Sequence, residues 1–318
     1  MAQPTNTFDT YDAVGIREDL SDVIHNISPS DTPFYSMCKK INIKNQLYEW
    51  QTDALRASAD NKHIVGDDTT AEAVTATTRL NNRAQIFKNA VTVADSNEAY
   101  DAAGRGKELA YQSLKVAKAQ KLDIERALFL NNAKVTGSSS VAPELAGVPA
   151  WLATNTVFES GNSGADPTGD GSDARTDDGT PVAFSQTRFD SAMQAIWESG
   201  GKPEKVFLSS FQQNVALGFD GNNNQRSTIG AGDRKVINNL KVYVTPWGDV
   251  EFIMSREHRS RDVFIMQPDM WKIGMYRGTK NVALAKTGDN TKRQISTELT
   301  LISCNEAASG AVYDNTTS

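Results

Sequence analysis

The fold is decided by residues 107–131, which read KELAYQSLKVAKAQKLDIERALFLN. This stretch contains neither proline nor glycine, and its apolar side chains recur at helical spacing: Ala110, Leu114, Ala117, Ile124 and Leu128. At ~1.5 Å per residue, a helix of this length spans roughly 37 Å, the width of a domain. The pattern therefore predicts one long helix across the molecule, with Lys121 interrupting its apolar stripe.

Two strand-like segments precede this helix. They are Asn45–Thr52 and Gln85–Ala94, and each carries aromatic side chains on one face: Tyr48 and Trp50 on the first, Phe87 on the second. Residues 53–84 between them are mostly polar and small, a connection that is unusually long for a compact domain. We therefore predict a long hairpin over residues 44–94. An isolated ribbon is marginal in water, so this one needs a second surface, which we expect on a neighbouring molecule.

The first 43 residues look like an arm. Residues 17–27 predict a short helix with apolar side chains on one side: Leu20, Val23, Ile24 and Ile27. The prolines of residues 28–33 end it, and aromatic anchors follow at Phe34 and Tyr35. So little apolar surface cannot fold alone. We expect the arm, like the hairpin, to be buried on other copies of the chain.

The rest of the chain mixes helix and strand. Ser185 is placed to cap a helix whose apolar stripe is Phe189, Met193, Ile196 and Trp197, and Phe184 can pack on Phe189. Lys205–Leu208 is a buried strand candidate, and a turn at residues 245–248 joins two alternating strands. Val263–Met266 and Arg293–Ser303 are further strands. The fold class is α+β.

The amino-acid composition limits the classes of function that the chain could have. The chain has 318 residues, 39% of them hydrophobic, which is enough for a sizeable core. Its net charge of -6 makes it a poor candidate for gripping nucleic acid. Cys38 and Cys304 form no disulfide framework, no apolar run approaches the ~20 residues of a membrane span, and the first residues lack signal-peptide features. These features favour a soluble cytosolic protein.

Charge is unevenly distributed along the chain. Residues 1–36 carry six acidic side chains against one arginine, and residues 159–178 do the same. Residues 105–126, around the long helix, carry six basic and three acidic side chains. Acidic arms and a basic rod can dock onto copies of the same molecule. Solvated faces explain the pattern equally well.

Motifs for catalysis or cofactor binding are weak. Residues 104–107, Gly-Arg-Gly-Lys, lack the spacing and the hydroxyl residue of a phosphate loop, and Gly230-Ala231-Gly232 is weaker still. Ser209-Ser210 lacks a nucleophile elbow. The histidines are scattered: His25, His63 and His258. We therefore predict no catalytic residues, no cofactor and no enzyme activity.

Two charged segments deserve separate interpretations. Oxygen ligands at calcium-loop spacing occur at Asp166, Thr168, Asp170 and Asp177, but Pro167 and the absence of flanking helices favour a solvated acidic loop. A dense charged turn contains Arg256, Arg259 and Arg261. It is either a solvated loop or a salt-bridging contact between subunits, since arginine favours interfaces.

Five local motifs, in order, resemble a known family. They are ISPSDTPF at 27–34, AGRGKELAY at 103–111, GVPAW at 147–151, WESGGKP at 197–203 and PDMW at 268–271. With the order of arm, hairpin, long helix and mixed body, they resemble the major capsid proteins of tailed bacteriophages. That is the Hong Kong phage, or tailed-phage and herpesvirus, capsid fold. Within it, they look like a podophage-type family once filed as a domain of unknown function.

The resemblance implies a domain plan. Residues 1–43 would be the N-terminal arm, 44–94 the extended loop, 95–180 the spine helix and the start of the peripheral domain, 181–250 the axial domain, and 251–318 the return to the peripheral domain. We expect subunit interfaces at Phe34, Tyr35, Tyr48, Trp50, Phe87, Arg256, Arg259 and Arg261.

The resemblance also implies partners. Hexamers and pentamers of the chain would form an icosahedral shell in the virion, assembled in the host cytoplasm, with a portal at one vertex and no membrane. DNA would be contacted only non-specifically. A separate scaffolding protein is expected, because the chain shows no built-in scaffolding extension, and a cement or decoration protein is a further candidate. Lys62 lies in the loop where some relatives form a crosslink, without a specified partner.

Two other functions remain open at this point. A cellular nanocompartment uses the same fold without DNA, and its gene neighbours would be a cargo enzyme rather than terminase and portal. An enzyme would have to use the Gly-Arg-Gly-Lys stretch or the acidic loop, and loss of nucleotide binding on Lys107→Ala would reveal it.

Overall fold

The computed structural model describes residues 31–68, 71–99, 106–159, 163–219 and 242–317. The predicted long helix is present as α3, Glu108–Phe129. Shorter helices are α1 Pro33–Met37, α2 Asp95–Ala99, α4 Gln186–Glu198 and α5 Ser210–Ala216. The helix predicted at 17–27 lies outside the described residues, as does the loop predicted at 221–234.

A four-stranded sheet packs against α3. Its order is β1 (Lys39–Asn42), β10 (Trp271–Ala283), β11 (Asn290–Ser303) and β4 (Gln85–Ala94), and only the β1–β10 pair is parallel. The Gln120 side-chain amide on α3 donates to the Phe87 carbonyl on β4 at 2.8 Å. The sheet and the long helix thus form one layered unit.

A six-stranded sheet forms the second layer. Its order is β5 (Thr156–Val157), β12 (Gly310–Val312), β9 (Val263–Met266), β6 (Lys205–Leu208), β8 (Gly248–Met254) and β7 (Val242–Thr245). The predicted hairpin at residues 245–248 is confirmed by the antiparallel β7–β8 pair. Ser185 caps α4 by accepting the Arg188 N–H at 3.4 Å, and the Phe184 and Phe189 rings lie 6.4 Å apart, as predicted.

The projecting hairpin is shorter than the prediction. Its strands are β2 (Leu47–Thr52) and β3 (Thr78–Arg83), which pair in register from Leu47 opposite Arg83 to Thr52 opposite Thr78. The predicted second strand, β4, instead pairs along ten residues with β11. Its alternating Phe87, Val91 and Val93 are buried. The body of the subunit offers this apolar face a larger surface than the polar β2 does.

Two apolar clusters make up the core. The first lies between α3, the four-stranded sheet, the segment around the 3-10 turn Val148–Ala150 and one side of the six-stranded sheet, and its members include Phe34, Phe129, Trp151, Trp271 and Tyr313. The second lies between α4, α5 and the six-stranded sheet, and includes Phe189, Met193, Val206, Phe252 and Val312. The second cluster therefore draws on residues from 184 to 312, so the predicted axial segment shares its core with the C-terminal strands.

Two helix faces differ from the periodicity argument. On α3, Leu114 is 59% exposed, whereas Ser113 and Gln120 are buried. The hydrogen bond from Gln120 to β4 turns this side of the helix inward. On α4, Trp197 is 57% exposed although Ile196 is fully buried. Ala110 and Leu114 on α3, and Trp197 on α4, are thus predicted stripe members that stay exposed to solvent at the margin of the buried face.

Candidate assembly surfaces

The connection between β2 and β3 is the most exposed part of the described chain. Its apolar side chains stand almost wholly in solvent: Leu55 at 99%, Ile64 at 83%, Val65 at 102% and Val74 at 97%. An ion pair between Arg56 and Glu72, 2.9 Å, joins its two sides. Side chains this apolar and this exposed mark an interaction surface. We call residues 53–77 the hairpin tip.

The base of the hairpin is fixed to the body. Asn82 is fully buried, and its amide nitrogen donates to the Leu301 carbonyl at 2.8 Å while its oxygen accepts the Ala146 N–H at 3.0 Å. The Trp50 ring lies 5.3 Å from the Trp151 ring. Lys134 donates to the Asn81 carbonyl at 3.1 Å. The direction in which the hairpin projects is therefore set by the subunit's own core.

The arm enters the subunit at α1. Phe34 has no exposed surface, and its ring contacts Phe129 at 4.9 Å and Phe207 at 5.5 Å between centroids. The buried Glu125 carboxylate accepts the N–H of Phe34 at 2.8 Å and that of Tyr35 at 2.7 Å. Burial raises the pKa of Glu125 to about 7, against the two backbone hydrogen bonds, which lower it. These N–H groups lie in the first turn of α1, where the helix itself supplies no acceptor, so the Glu125 carboxylate caps the helix.

The predicted aromatic interface residues divide into two groups. Phe34 and Phe87 lie in the core of their own subunit, so their prediction as interface residues is wrong: both are buried members of the first apolar cluster. Tyr35, Tyr48 and Trp50 are half-buried. Tyr48 stacks on Trp50 at 6.1 Å, and the Lys40 ammonium lies 4.3 Å above the Tyr35 ring. These three keep an accessible edge and stay interface predictions.

The arginine turn has an internal role. Arg259 binds Asp177 at 2.5 Å and Asp262 at 2.9 Å, and Arg261 binds Asp314 at 2.6 Å. Both arginines therefore form ion pairs within the chain, because the acidic loop and the C-terminal residues fold over the turn. A contact of either arginine with another subunit stays a prediction. Arg256 is exposed and remains an interface prediction.

The centre of this cluster is Arg175. Its side chain has no exposed surface and donates to Asp314 at 2.5 Å and Asp177 at 3.3 Å. The Asp314 hydrogen bond raises the pKa of Arg175 even though burial opposes this. Burial raises the pKa of Asp262 to about 7 in spite of Arg259. The ion pairs join three distant parts of the chain into one buried unit.

The four calcium-loop candidates are used by protein groups. Asp166 accepts the Thr156 hydroxyl at 2.5 Å, Asp170 accepts the Thr168 hydroxyl at 3.0 Å, and Asp177 binds arginine as described. These four side chains therefore make hydrogen bonds or ion pairs with other groups of the protein. Among the residues that the structure describes, no group of three or more histidine, cysteine, aspartate or glutamate side chains is arranged to hold a metal ion.

Other candidate motifs have structural roles. Lys107 donates to the Glu98 carbonyl at 3.1 Å beside the start of α3, Ser209 caps α5 by accepting the Gln212 N–H at 3.3 Å, and Gly104 and Gly230 lie outside the described residues. His258 lies between the Phe129 and Phe264 rings, 5.0 Å from each, and its burial lowers its pKa to about 3. Burial likewise raises the pKa of the Cys38 thiol.

Sequence reasoning missed the residues that fix the assembly surfaces in place. Asn82, Glu125 and Arg175 have partners 64 to 219 positions away. The only local signal was an acidic residue on the apolar side of the long helix, at Glu125. No helix within the described residues is both long and apolar enough to cross a membrane.

Comparison with known proteins identifies the class. Residues 3–316 match the family model of the SU10 major capsid protein. A curated relative, the major capsid protein of Escherichia phage Phieco32, is 27% identical over 347 residues and covers 98% of each chain.

Solved capsid structures share the fold. The capsid asymmetric unit of Cyanophage A-1(L) superposes with a TM-score of 0.68 at 12% identity, covering 98% of this chain and 99% of that one. A structure of phage G major capsid and decoration proteins gives a TM-score of 0.57 at 11% identity, covering 99% and 100%. At these identities the likeness establishes the fold: the predicted tailed-phage capsid fold is confirmed.

Proposed function

The chain belongs to the SU10 major capsid protein family, and from this premise we propose that its hairpin tip contacts a neighbouring copy, and that copies so joined form hexamers and pentamers of an icosahedral shell around packaged double-stranded DNA. The chain is the structural subunit of a tailed-phage virion shell. No observation favours the nanocompartment alternative.

The exposure of the hairpin tip supports this assembly mode. Burying one side chain such as Ile64 contributes about 1.5–3 kcal/mol. Four such side chains on each tip supply a sizeable favourable term for every contact. A tip that docks on a different surface of the next copy makes a head-to-tail interface, and such interfaces close into rings when the rotation permits. Hexamers and pentamers are rings of this kind.

Further partners follow as part of the same proposal. A portal would occupy one vertex and a separate scaffolding protein would guide assembly. A decoration protein would bind the outer surface, as one accompanies the phage G capsid protein. The net charge of -6 favours loose contact with DNA rather than tight binding, since affinity for DNA comes from neutralising phosphates.

The test is a paired substitution at the tip. Ile64→Ser with Val65→Ser removes two exposed apolar side chains without touching the core, and Val141→Ser, 48% exposed and outside the hairpin, is the matched control. The full chain is expressed alone and with its neighbouring gene products, and particles are counted by negative-stain microscopy. We expect the double variant to remain folded and to form few shells. Shells at the yield of the control would refute the role of the tip.

A further inference from the structure

The buried ion cluster contains more carboxylates than arginines. Its ion pairs join three parts of the chain: the acidic loop at residues 163–178, the arginine turn at residues 256–262 and the C-terminal segment at residues 313–317. The members are Asp166, Arg175, Asp177, Arg259, Arg261, Asp262 and Asp314. Four carboxylates thus face three guanidinium groups, so one negative charge is left over when every group is ionised.

Asp262 is the carboxylate that its surroundings support least. Its side chain has no exposed surface. Nη1 of Arg259, on the same turn, lies 2.9 Å from one of its oxygens, yet no described group donates a hydrogen bond to either oxygen. The other three carboxylates each accept one: Asp166 from Thr156, Asp177 from Arg259, and Asp314 from Arg175. A buried carboxylate without donors is costly in its charged form.

The same cluster holds the C-terminal segment in a constrained conformation. Asp314 has a φ of 56°, which residues other than glycine rarely adopt. Its carboxylate accepts hydrogen bonds from Arg175 at 2.5 Å, from Arg261 at 2.6 Å and from the Asp178 N–H at 3.1 Å. The path of the segment therefore depends on the cluster staying closed.

We propose that Asp262 carries a proton while the cluster is closed, and that loss of this proton to water as the pH rises releases the acidic loop and the C-terminal segment from the arginine turn. With Asp262 neutral, three carboxylates balance three guanidinium groups. With Asp262 ionised, an uncompensated charge is buried beside Asp177 and Asp314, and opening the cluster brings water to it. This device lies within one subunit and does not rest on the proposed function.

Groups from all three parts of the cluster act on Asp262. Burial raises its pKa from 3.8 to about 7, Arg259 opposes this rise and Asp177 adds to it. The charged and titratable groups that face it are Arg259 on its own turn, Arg175 and Asp177 on the acidic loop, and Tyr313 and Asp314 in the C-terminal segment. Because the closed state binds the proton more tightly than the open state, this contribution to closure is present in full below pH ~3.8 and is lost as the pH rises to ~7.

Hydrogen exchange of the unassembled full chain tests the release. Two amides report on closure: Asp178 N–H donates to the Asp314 carboxylate, and Asn315 N–H donates to the Arg261 carbonyl at 2.8 Å. Asp262→Asn imitates the protonated side chain at all pH values. The protection of these amides in the wild type, relative to Asp262→Asn, should fall about tenfold between about pH 6 and about pH 8. His258 contributes equally to both chains.

Two variants serve as controls. Asp269→Asn, at an exposed position, should follow the wild type. Glu125→Gln should also follow the wild type at these amides, because Glu125 lies on α3 beneath α1. A constant ratio between the wild type and Asp262→Asn across this pH range would overturn the proposal, and so would loss of the pH effect in Glu125→Gln.

Infrared spectroscopy gives a readout that needs no variant. Difference spectra of the wild type between the same two pH values are recorded with and without ¹³C-labelled aspartate. We expect a protonated carboxyl band that shifts with the label and disappears as the pH rises. Absence of such a band at the lower pH would contradict the proposal even if Asp262→Asn failed to fold.

Discussion

Oε1 of Glu125 accepts the backbone N–H of Phe34 at 2.8 Å, although the two residues are 91 positions apart. The bond joins the first described helix of the arm to the C-terminal part of the long helix. Phe34 itself fills the core beside Phe129. The arm is thus anchored by its own subunit at the point where it enters the fold, and a buried carboxylate makes that anchor sensitive to protons.

The first prediction concerns pH. Burial, assisted by the nearby Glu257, raises the pKa of Glu125 from 4.5 to about 7, so the folded state binds a proton more readily than the unfolded chain. Its contribution to stability is present in full below pH ~4.5 and is lost as pH rises to ~7. We expect the unfolding free energy of unassembled subunits to fall by up to ~1.4 kcal/mol per pH unit across this window through this group.

Glu125→Gln should flatten that pH profile. Urea unfolding followed by tryptophan fluorescence between pH 5 and 7.5 measures it, with the exposed Glu204→Gln as the control. The pH dependence that remains comes from Asp262, whose pKa burial also raises to about 7, and from His258, whose pKa burial lowers to about 3 and whose contribution has the opposite sign below pH ~6.5. Parallel profiles for wild type and Glu125→Gln would contradict the assignment.

The second prediction concerns the base of the hairpin. Asn82→Ala leaves the Leu301 carbonyl and the Ala146 N–H without their side-chain partner at a fully buried position. We expect a loss of ~1–3 kcal/mol in unfolding free energy and faster proteolysis of the hairpin tip. Asn81→Ala, at the adjacent half-buried position, is the control, because there only the backbone carbonyl is used. Equal effects at the two positions would show that the Asn82 amide does not hold the hairpin.

The third prediction concerns the buried ion cluster. Asp314→Ala removes the 2.5 Å partner of Arg175, whose side chain has no exposed surface. Leaving that charge without its main partner should cost ~3–5 kcal/mol. Glu72→Ala, which breaks the exposed pair with Arg56, should cost less than ~1 kcal/mol. Thermal unfolding of unassembled subunits compares the two, and a similar small shift in both would argue against a structural role for Asp314.

The fourth prediction concerns close packing at Gly147. A Cβ at this position would lie 1.9 Å from the Leu130 carbonyl oxygen, which is backbone and cannot move aside without displacing the end of α3. Gly147→Ala should therefore yield mostly insoluble protein. A Cβ on Gly179 meets no atom within 4 Å, so Gly179→Ala should express normally. Soluble, fully folded Gly147→Ala would show that the segment can shift.

Local sequence patterns predicted those helices, caps and turns that are determined by residues close to one another in the chain. The α3 helix, the Ser185 cap and the β7–β8 hairpin each follow from periodicity, a capping hydroxyl or a turn within a few residues. The strand that pairs with β4 could not be predicted locally. The alternation of apolar and polar side chains along β4 predicts that one face is buried, but it does not identify the neighbouring strand. The inward face of α3 was also misjudged, since Gln120 turns inward to reach a carbonyl 33 positions away.

The candidate surfaces divide in the same way. The length and polar composition of the hairpin tip made its exposure predictable. The burial of Phe34 and Phe87 was not predictable, because the sequence around an aromatic residue is the same whether it packs on its own subunit or on a neighbour. Arg259 and Arg261 likewise needed the positions of Asp177 and Asp314 before their partners could be identified.

The amino-acid order alone predicted an α+β chain with a long helix, a projecting hairpin and an acidic arm, because periodicity, proline breaks and charge act over short stretches of chain. Its role as a shell subunit followed from the resemblance of its motifs to a known family. Tertiary structure alone decided which apolar side chains are buried in the subunit's own core and which stay exposed to solvent. That division depends on contacts between residues tens to hundreds of positions apart, and each such contact is selected by the packing of the whole chain.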